Sequence, residues 1–157
     1  MPELAEVETL KRYLEKHILG KQIDSYTQYR NNLRYPIPLI LKDHASVGAI
    51  KHIDRRAKFL IVDLDTDYTI IFHLGMSGRL TVQANEYTPQ KHDHIIIAFK
   101  CGVLLVFNDV RRFGMIYSCR TEDLNNQDFL KNMGQEPLLE GFNQEYLALK
   151  LANKKMP

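Results

Sequence analysis

The 157-residue sequence contains only two cysteines, Cys101 and Cys119. Two thiols cannot form a four-thiolate zinc site, and so small a number is typical of a reducing cytosol rather than of a disulfide-stabilised secreted domain. No stretch approaches the ~18 consecutive apolar residues of a membrane span. The N-terminal segment MPELAEVETL is acidic and lacks the apolar core of a secretory signal. We therefore expect a soluble cytoplasmic protein with no membrane partner, and the length predicts one domain.

The net charge is also small, at +2, and does not by itself indicate a polyanionic partner. Its distribution is uneven. Residues 1–120 carry 17 basic and 13 acidic side chains, a net charge of +4, whereas residues 121–157 carry 4 and 6, a net charge of −2. Basic residues cluster at positions 55–58 and at Arg111-Arg112. Such clusters are typical either of a phosphate-binding surface or of an ordinary solvated surface, and the sequence leaves both interpretations open.

The first twenty residues predict a helix. Apolar residues recur at three- and four-residue steps and form one stripe, made of Leu4, Val7, Leu10, Leu14 and Ile18. Pro2 suits the first helical turn, where its missing N–H would have no partner in any case. Gly20 is a typical helix end.

From residue 21 to residue 119 the pattern changes to short segments rich in Ile, Val, Phe and Tyr. The predicted strands are about residues 22–29, Ile50–Ile53, Phe59–Leu64, Thr69–Leu74, Arg79–Val82, His94–Phe99, Val103–Phe107 and Met115–Ser118. Many short strands joined by tight turns indicate an antiparallel sandwich or barrel. A short helix is predicted near residues 37–42. After Thr121 the pattern is helical again, first around an apolar group (Leu124, Phe129, Leu130 and Met133) and then at Gln144–Leu151.

The N terminus carries a possible nucleophile. Removal of Met1 would leave Pro2 with a free secondary amine, and such an amine can attack a carbonyl-like carbon. An α-amine has a reference pKa of about 7.7–8.0 against about 10.4 for lysine, so more of it is unprotonated at neutral pH. Glu3 and Glu6 are close enough in the sequence to hold or pass a proton. Most proteins that begin Met-Pro make no use of the amine, so this feature alone leaves the function open.

Six short motifs are distributed along the whole chain: Pro2–Thr9, Arg55–Leu60, His73–Gly78, Lys91–His94, Asn108–Gly114 and Met133–Leu138. In this order they resemble the bacterial formamidopyrimidine-DNA glycosylase family, whose members remove oxidised purines from DNA. The resemblance implies a mainly β fold with flanking helices. An N-terminal helix would pack on an eight-stranded antiparallel β-sandwich, and short helices would lie at the C-terminal end. It also implies a monomer that binds double-stranded damaged DNA in the bacterial cytoplasm.

The sequence departs from the family at several points. The family usually has proline at the positions of Ala5 and Val110, and proline or a similar residue at Gln135, but these changes remove no reacting group. In the family a helix–two-turn–helix region and a four-cysteine zinc finger follow, and this chain contains neither. We expect residues 1–131 to be the N-terminal catalytic domain and residues 132–157 to be the linker and the start of the helix–two-turn–helix domain. We expect no cofactor in this chain, because the family's structural zinc would be bound after Pro157.

The resemblance implies roles for four catalytic residues. The amine of Pro2 would attack C1′ of the damaged nucleoside, expel the base and form a Schiff base, after which the sugar would lose its 3′ and 5′ phosphates by β- and δ-elimination. Glu3 would protonate the opening sugar and shuttle protons. Glu6 would orient the surroundings of the nucleophile, or equally serve only as a favourable first-turn carboxylate. Lys58 would contact the phosphate beside the lesion.

The resemblance also implies a set of DNA-binding residues. His73 and Arg112 would bind further backbone phosphates, and His92 either joins them or is a structural imidazole on a strand. Met76, Arg111 and Phe113 would enter the space left by an extruded base and contact its former partner. Without the resemblance, Met76 and Phe113 would be interpreted as core residues.

Three functions remain in competition. The first is a DNA glycosylase with AP lyase activity that removes oxidised purines (8-oxoguanine and formamidopyrimidines) in base-excision repair. The second is a truncated, catalytically incompetent DNA-binding fragment. The third is an endonuclease VIII-like glycosylase for oxidised pyrimidines, although that branch usually begins Pro-Glu-Gly-Pro and builds its wedge differently.

Overall fold

Two four-stranded antiparallel sheets dominate the computed structural model, which describes residues 1–152 and 154. The helices of this part of the chain are Leu4–Ile18 (α1), Leu41–His44 (α2) and Gln144–Leu151 (α3), with a 3-10 helix at Thr121–Asn126. The strands are Ile23–Gln28 (β1), Ile50–Arg56 (β2), Phe59–Leu64 (β3), Tyr68–His73 (β4), Gly78–Ala84 (β5), Asp93–Phe99 (β6), Val103–Asp109 (β7) and Met115–Arg120 (β8).

The two sheets face each other across one apolar core. The first sheet has the strand order β1-β6-β7-β5, the second has the order β2-β3-β4-β8, and neighbouring strands are antiparallel. Because side chains alternate along a strand, every second residue points to the interior. Phe72 of β4 and Phe107 of β7 meet there from opposite sheets, with their ring centroids 6.1 Å apart. The expected eight-stranded antiparallel β-sandwich is confirmed.

Helix α1 packs mainly against β2 and buries Val7, Leu14 and Ile18 completely. Burying each of these side chains stabilises the fold by about 1.5–3 kcal/mol, so the apolar stripe holds the helix in place. No helix in the described part of the chain is long and apolar enough to cross a membrane.

The start of α1 differs from the sequence prediction. Pro2 does not occupy the first helical turn, because the helix begins at Leu4 and Glu3 is its extended N-cap. The Glu6 carboxylate accepts a hydrogen bond from the Glu3 backbone N–H, and the Glu3 carbonyl accepts one from Val7 at 3.1 Å. With Glu3 as the N-cap, the helix begins two residues beyond the proline, and Pro2 lies outside it.

The remaining differences concern segment ends and the C-terminal region. Strand β2 continues through Arg55 and Arg56, and α2 lies at Leu41–His44 rather than near residues 37–42. After the 3-10 helix the chain forms turns, and Phe129 stacks against Phe59 with a centroid distance of 5.1 Å. The predicted helix Gln144–Leu151 is confirmed. The proposed boundary at residue 131 stays a prediction, and residues 153 and 155–157 of its second part lie outside the described residues.

Candidate functional site

Four chain segments converge at one edge of the sandwich. They are the N terminus of α1, the β2–β3 turn, the β4–β5 loop (residues 74–77) and the β7–β8 loop (residues 110–114). The last two each pass from one sheet to the other, since β4 and β8 belong to the second sheet and β5 and β7 to the first. We call them the crossing loops. Most of the residues singled out from the sequence lie on these four segments.

The N-terminal residues line a cavity of about 550 Å³. Its walls include Pro2 and Glu6 from the N-terminal segment, Leu10 from α1, and Met76 from the first crossing loop. The structure includes Met1, so the Pro2 nitrogen is part of an amide here and becomes a secondary amine only when Met1 is removed. The geometry thus brings Pro2, Glu6 and Met76 together.

Glu6 combines the two roles that the sequence left open. Its carboxylate caps the first turn of α1 by accepting from the Glu3 N–H, and it also lies on the wall of the cavity with Pro2. The cap fixes the position of the carboxylate next to the proline. One contact therefore both starts the helix and orients a proton acceptor in the cavity.

Two basic residues near the β2–β3 turn differ in their surroundings: Lys58 lies at the site, whereas Arg55, on β2, is buried. Lys58 Nζ lies 3.4 Å from Glu3 Oε2 and stays partly exposed, so this ion pair is weak and the ammonium remains available to another anion. Arg55 is buried instead. Its Nε donates to Glu8 Oε2 at 2.8 Å, and its Nη1 lies 2.7 Å from Glu136 Oε2. The basic cluster at 55–58 is therefore neither wholly solvated nor wholly free for phosphate.

His73 lies at the end of β4, half-buried, with its ring 4.7 Å from the ring of Phe59. Burial lowers the pKa of His73 below its ordinary value of 6.5, and Lys58 and Arg34 lower it further. Its Nδ1 accepts a hydrogen bond from the Gly75 backbone N–H at 3.1 Å. A neutral imidazole with an occupied Nδ1 carries its proton on Nε2, so His73 can donate one hydrogen bond to an oxygen ligand.

The crossing loops expose the apolar and cationic residues expected to enter DNA. Met76 is 42% exposed and Phe113 is 43% exposed, and the Arg111 guanidinium lies 4.9 Å from the Phe113 ring centroid. Both side chains are therefore accessible to a binding partner from this edge of the sandwich. Arg112 has φ 61 and is exposed. These four residues therefore form one projecting group beside the Pro2 cavity.

His92 is placed away from Pro2, beside the second crossing loop. It is half-buried with φ 75, and its carbonyl accepts a hydrogen bond from the Asp109 N–H at 3.1 Å. The nearby His94 is buried, and its Nε2 is hydrogen-bonded to the Asp109 carbonyl at 2.8 Å. His94 is thus a structural imidazole, whereas His92 lies close to the loop that carries Arg112.

Sequence reasoning missed the carboxylates beneath this surface. Asp109 is completely buried and Glu136 is 6% exposed, and both accept hydrogen bonds from the loops that carry site residues. In the sequence, their only distinguishing feature is their position within the motifs Asn108–Gly114 and Met133–Leu138. A buried acidic residue cannot otherwise be distinguished from an exposed one by its residue type. Within residues 1–152 and 154, no group of three metal-ligating side chains is close enough to hold a metal ion.

The sequence also matches known proteins. Residues 1–116 match the sequence model of the formamidopyrimidine-DNA glycosylase N-terminal domain. The formamidopyrimidine-DNA glycosylase of Rickettsia bellii (strain OSU 85-389) is 48% identical over 157 residues, which are all of this chain and 57% of the relative. The chain therefore spans little more than half the length of such relatives.

Solved structures show the same fold. A Lactococcus lactis formamidopyrimidine-DNA glycosylase, bound non-covalently to DNA containing an AP site, superposes with a TM-score of 0.85 at 32% identity, covering 96% of this chain and 57% of that one. MutM in complex with DNA containing carbocyclic 8-oxo-G gives a TM-score of 0.83 at 34% identity, with 96% and 57% coverage. By sequence and by fold, the chain belongs to the formamidopyrimidine-DNA glycosylase family, and it spans the N-terminal part.

Proposed function

We propose that this chain is the catalytic domain of a base-excision repair enzyme, a DNA glycosylase with AP lyase activity that removes oxidised purines (8-oxoguanine and formamidopyrimidines). The observation that carries the proposal is the shared cavity of Pro2 and Met76. Pro2 can become an amine nucleophile, and Met76 can replace an extruded base. Because they share a cavity, both can act on the same nucleotide. The partner is double-stranded DNA, and the protein acts as a monomer.

The chemistry starts once Met1 has been removed. The unprotonated Pro2 nitrogen forms a bond to C1′ while the glycosidic bond breaks, and the base leaves with a proton. Glu3 protonates the ring oxygen as the sugar opens, which gives the Schiff base. Loss of a C2′ proton with the 3′ phosphate is the β-elimination, and loss of the C4′ proton with the 5′ phosphate is the δ-elimination. Water then hydrolyses the Schiff base, which releases the unsaturated sugar fragment and restores the Pro2 amine. Glu3 is exposed at the N-cap and lies close to Lys58, so it can exchange protons with water between steps.

The cations around the cavity position the strand. Lys58 supplies a point charge beside Glu3, and His73 supplies one directed N–H donor from the end of β4. Arg112 adds a guanidinium from the second crossing loop, and His92 lies near the same loop. Such contacts fix the register of the sugar–phosphate backbone and carry no sequence information, which suits an enzyme that must act at any position in a genome.

The domain organisation is part of the proposal. Residues 1–131 form the catalytic domain, and residues 132–157 lead into a helix–two-turn–helix domain. The steps above use an amine, carboxylates and cations of this chain and need no cofactor from it. With two cysteines, this chain cannot itself supply a four-thiolate zinc site.

The test is covalent trapping with borohydride on duplex DNA that contains an abasic site. Intact mass spectrometry first establishes whether the chain begins at Pro2, and peptide mapping then locates the adduct. We expect an adduct on the Pro2 peptide of the processed chain and none from a chain that retains Met1 or has a chemically blocked amine. Robust trapping by the Met1-retaining chain, or an adduct on Lys58, would contradict the proposed nucleophile. Pro2→Gly is no control, because it keeps an amine.

A second candidate function, DNA binding without catalysis, applies to a form of the chain from which Met1 is not removed. With Met1 attached, the Pro2 nitrogen is an amide, and the chain can bind DNA without forming a Schiff base. This DNA-binding reading is favoured if a chain with a confirmed Pro2 terminus forms no adduct at any concentration. Comparison of duplexes with 8-oxoguanine opposite cytosine and with oxidised thymine then separates the purine substrate from the pyrimidine one.

A further inference from the structure

One buried carboxylate is shared by the two crossing loops. Asp109, fully buried at the end of β7, accepts a hydrogen bond on Oδ1 from Ser77 Oγ at 2.6 Å. Its Oδ2 accepts one from the Gly114 backbone N–H at 2.7 Å. Ser77 belongs to the first crossing loop and Gly114 to the second. A single side chain therefore joins the loop that carries Met76 to the loop that carries Phe113.

The burial of Asp109 depends on these two donors. Within the described part of the chain, no basic side chain forms an ion pair with it. A buried carboxylate without a cation is costly unless its oxygens are hydrogen-bonded. The loops consequently stabilise the carboxylate, and the carboxylate holds the loops.

Ser77 extends the connection to Arg111. The same hydroxyl that donates to Asp109 accepts a hydrogen bond from the Arg111 backbone N–H at 3.0 Å. The Ser77 hydroxyl thus donates to a residue of β7 and accepts from a residue of the second crossing loop. The Arg111 backbone is thus tied to the first crossing loop, although Arg111 belongs to the second.

Close packing of the two backbones gives a second, independent link. Gly75 has φ +61, and a Cβ built there would lie 2.3 Å from the carbonyl carbon of Phe113. No side chain fits in that gap, so the two loops touch directly through their main chains. The contact joins Gly75, which precedes Met76, to Phe113, which follows Arg112.

From these contacts we propose that Asp109 is a positioning residue. With Ser77, it fixes the two crossing loops as one rigid unit, so that Met76, Arg111 and Phe113 enter the DNA stack together. The inference rests on the proposed DNA function of these side chains. A preorganised surface loses less conformational entropy on binding than two independent loops, which is why a costly buried acid is useful at this position.

The experiment uses the full chain with four substitutions. Ser77→Ala removes the hydroxyl between Asp109 and Arg111, and Asp109→Asn leaves one acceptor oxygen where two are needed. Ser77→Thr keeps the hydroxyl and is the rescue variant. Ser118→Ala is the matched control, because Ser118 is also buried and its hydroxyl is hydrogen-bonded to His44, away from the crossing loops.

Two readouts separate insertion from chemistry. The fluorescence of 2-aminopurine opposite a stable abasic analogue in a duplex rises when the base loses its stacking. Borohydride trapping on a single-stranded abasic oligonucleotide reports the nucleophile without any need to open a base pair. We expect Ser77→Ala and Asp109→Asn to raise the concentration for half-maximal fluorescence about tenfold, the factor of a charge-assisted hydrogen bond. Single-strand trapping stays at the wild-type level, and Ser77→Thr and Ser118→Ala behave as wild type.

Two results overturn the inference. Wild-type fluorescence in both Ser77→Ala and Asp109→Asn would show that insertion into DNA does not require the hydrogen bonds between the loops. A parallel loss of single-strand trapping would place the effect at the nucleophile rather than at the loops. If Asp109→Asn fails to fold, Ser77→Ala decides alone. A wild-type chain that gives the fluorescence change without any adduct would remove the proposed chemistry and leave the coupling of the loops tested by fluorescence.

Discussion

Arg55 offers the sharpest test of how the site is supported. Its side chain is 4% exposed and connects α1 to the C-terminal segment through Glu8 (16% exposed) and Glu136 (7% exposed). It also donates to the Ala57 carbonyl at 2.9 Å, while Glu136 accepts from the Ala57 N–H. The ion pairs therefore hold the turn that presents Lys58. Arg55→Met keeps much of the apolar volume and removes the charge.

The expected cost follows from burial. Removing one partner of a buried ion pair costs about 3–5 kcal/mol, because the remaining carboxylates are left without a cation in a poorly hydrated place. At about 2–4 °C per kcal/mol for a protein of this size, Tm should fall by about 6–20 °C. Arg12→Met is the matched control. Its guanidinium contacts the same Glu8 at 3.3 Å but is 72% exposed, so the loss should be at most about 1 kcal/mol.

The pH dependence gives the signature. A hydrogen bond from Arg55 is the main reason why the pKa of Glu8 lies below its ordinary value of 4.5. A carboxylate with a lowered folded-state pKa stabilises the fold above its unfolded pKa, and this contribution disappears as the pH falls through the folded pKa. The difference between wild type and Arg55→Met should therefore be largest at neutral pH and shrink below about pH 4.5. Urea unfolding followed by circular dichroism across this range measures it. A cost no larger than that of Arg12→Met, or one independent of pH, would refute the reasoning.

Three further predictions concern the site itself. Lys58→Gln should weaken duplex binding and reduce the slope of log K against log salt by about one, whereas Lys100→Gln, in the turn at the far end of β6, should change neither in anisotropy titrations. His73 should titrate by NMR with a midpoint below 6.5, and Lys58→Gln should raise that midpoint, because burial and Lys58 both disfavour the imidazolium. The same lowered pKa means that His73 reduces stability as the pH falls below about 6.5. Gly75→Ala should lower Tm more than Gly20→Ala, since both have positive φ but only Gly75 has a neighbour within 4 Å of the added Cβ.

Much of the fold could be predicted because its elements follow simple periods. The apolar stripe of α1 and the run Phe59–Leu64 depend on residues close in the sequence, and the structure has both elements. The site motifs could be assigned to turns for a similar reason, since Gly75 and Gly78 bracket an exposed Met76. Their meeting at one edge is a consequence of antiparallel connections, which bring alternate loops to the same end of a sheet.

The remainder depended on contacts between distant parts of the chain. Arg55 and Arg56 are the same residue type, and the burial of Arg55 depends on ion pairs with Glu8 and Glu136, which are both distant in the sequence. The position of Pro2 outside the helix follows from which carboxylate caps the first turn, a choice that local composition does not determine. Asp109 could not be told from a surface acid, because its donors lie on two loops that are separate in the sequence.

The topology of the crossing loops connects the core to the surface that carries Met76 and Phe113. Each loop leaves one sheet and enters the other, so the positions of Met76 and Phe113 depend on the packing of the two sheets as well as on the direct contact between the loops. Phe72 and Phe107, which meet between the sheets, act as a spacer. We expect a smaller or larger pair to shift the two loops without changing any residue on them. A substitution in the interior would thus alter the arrangement of the side chains at the surface.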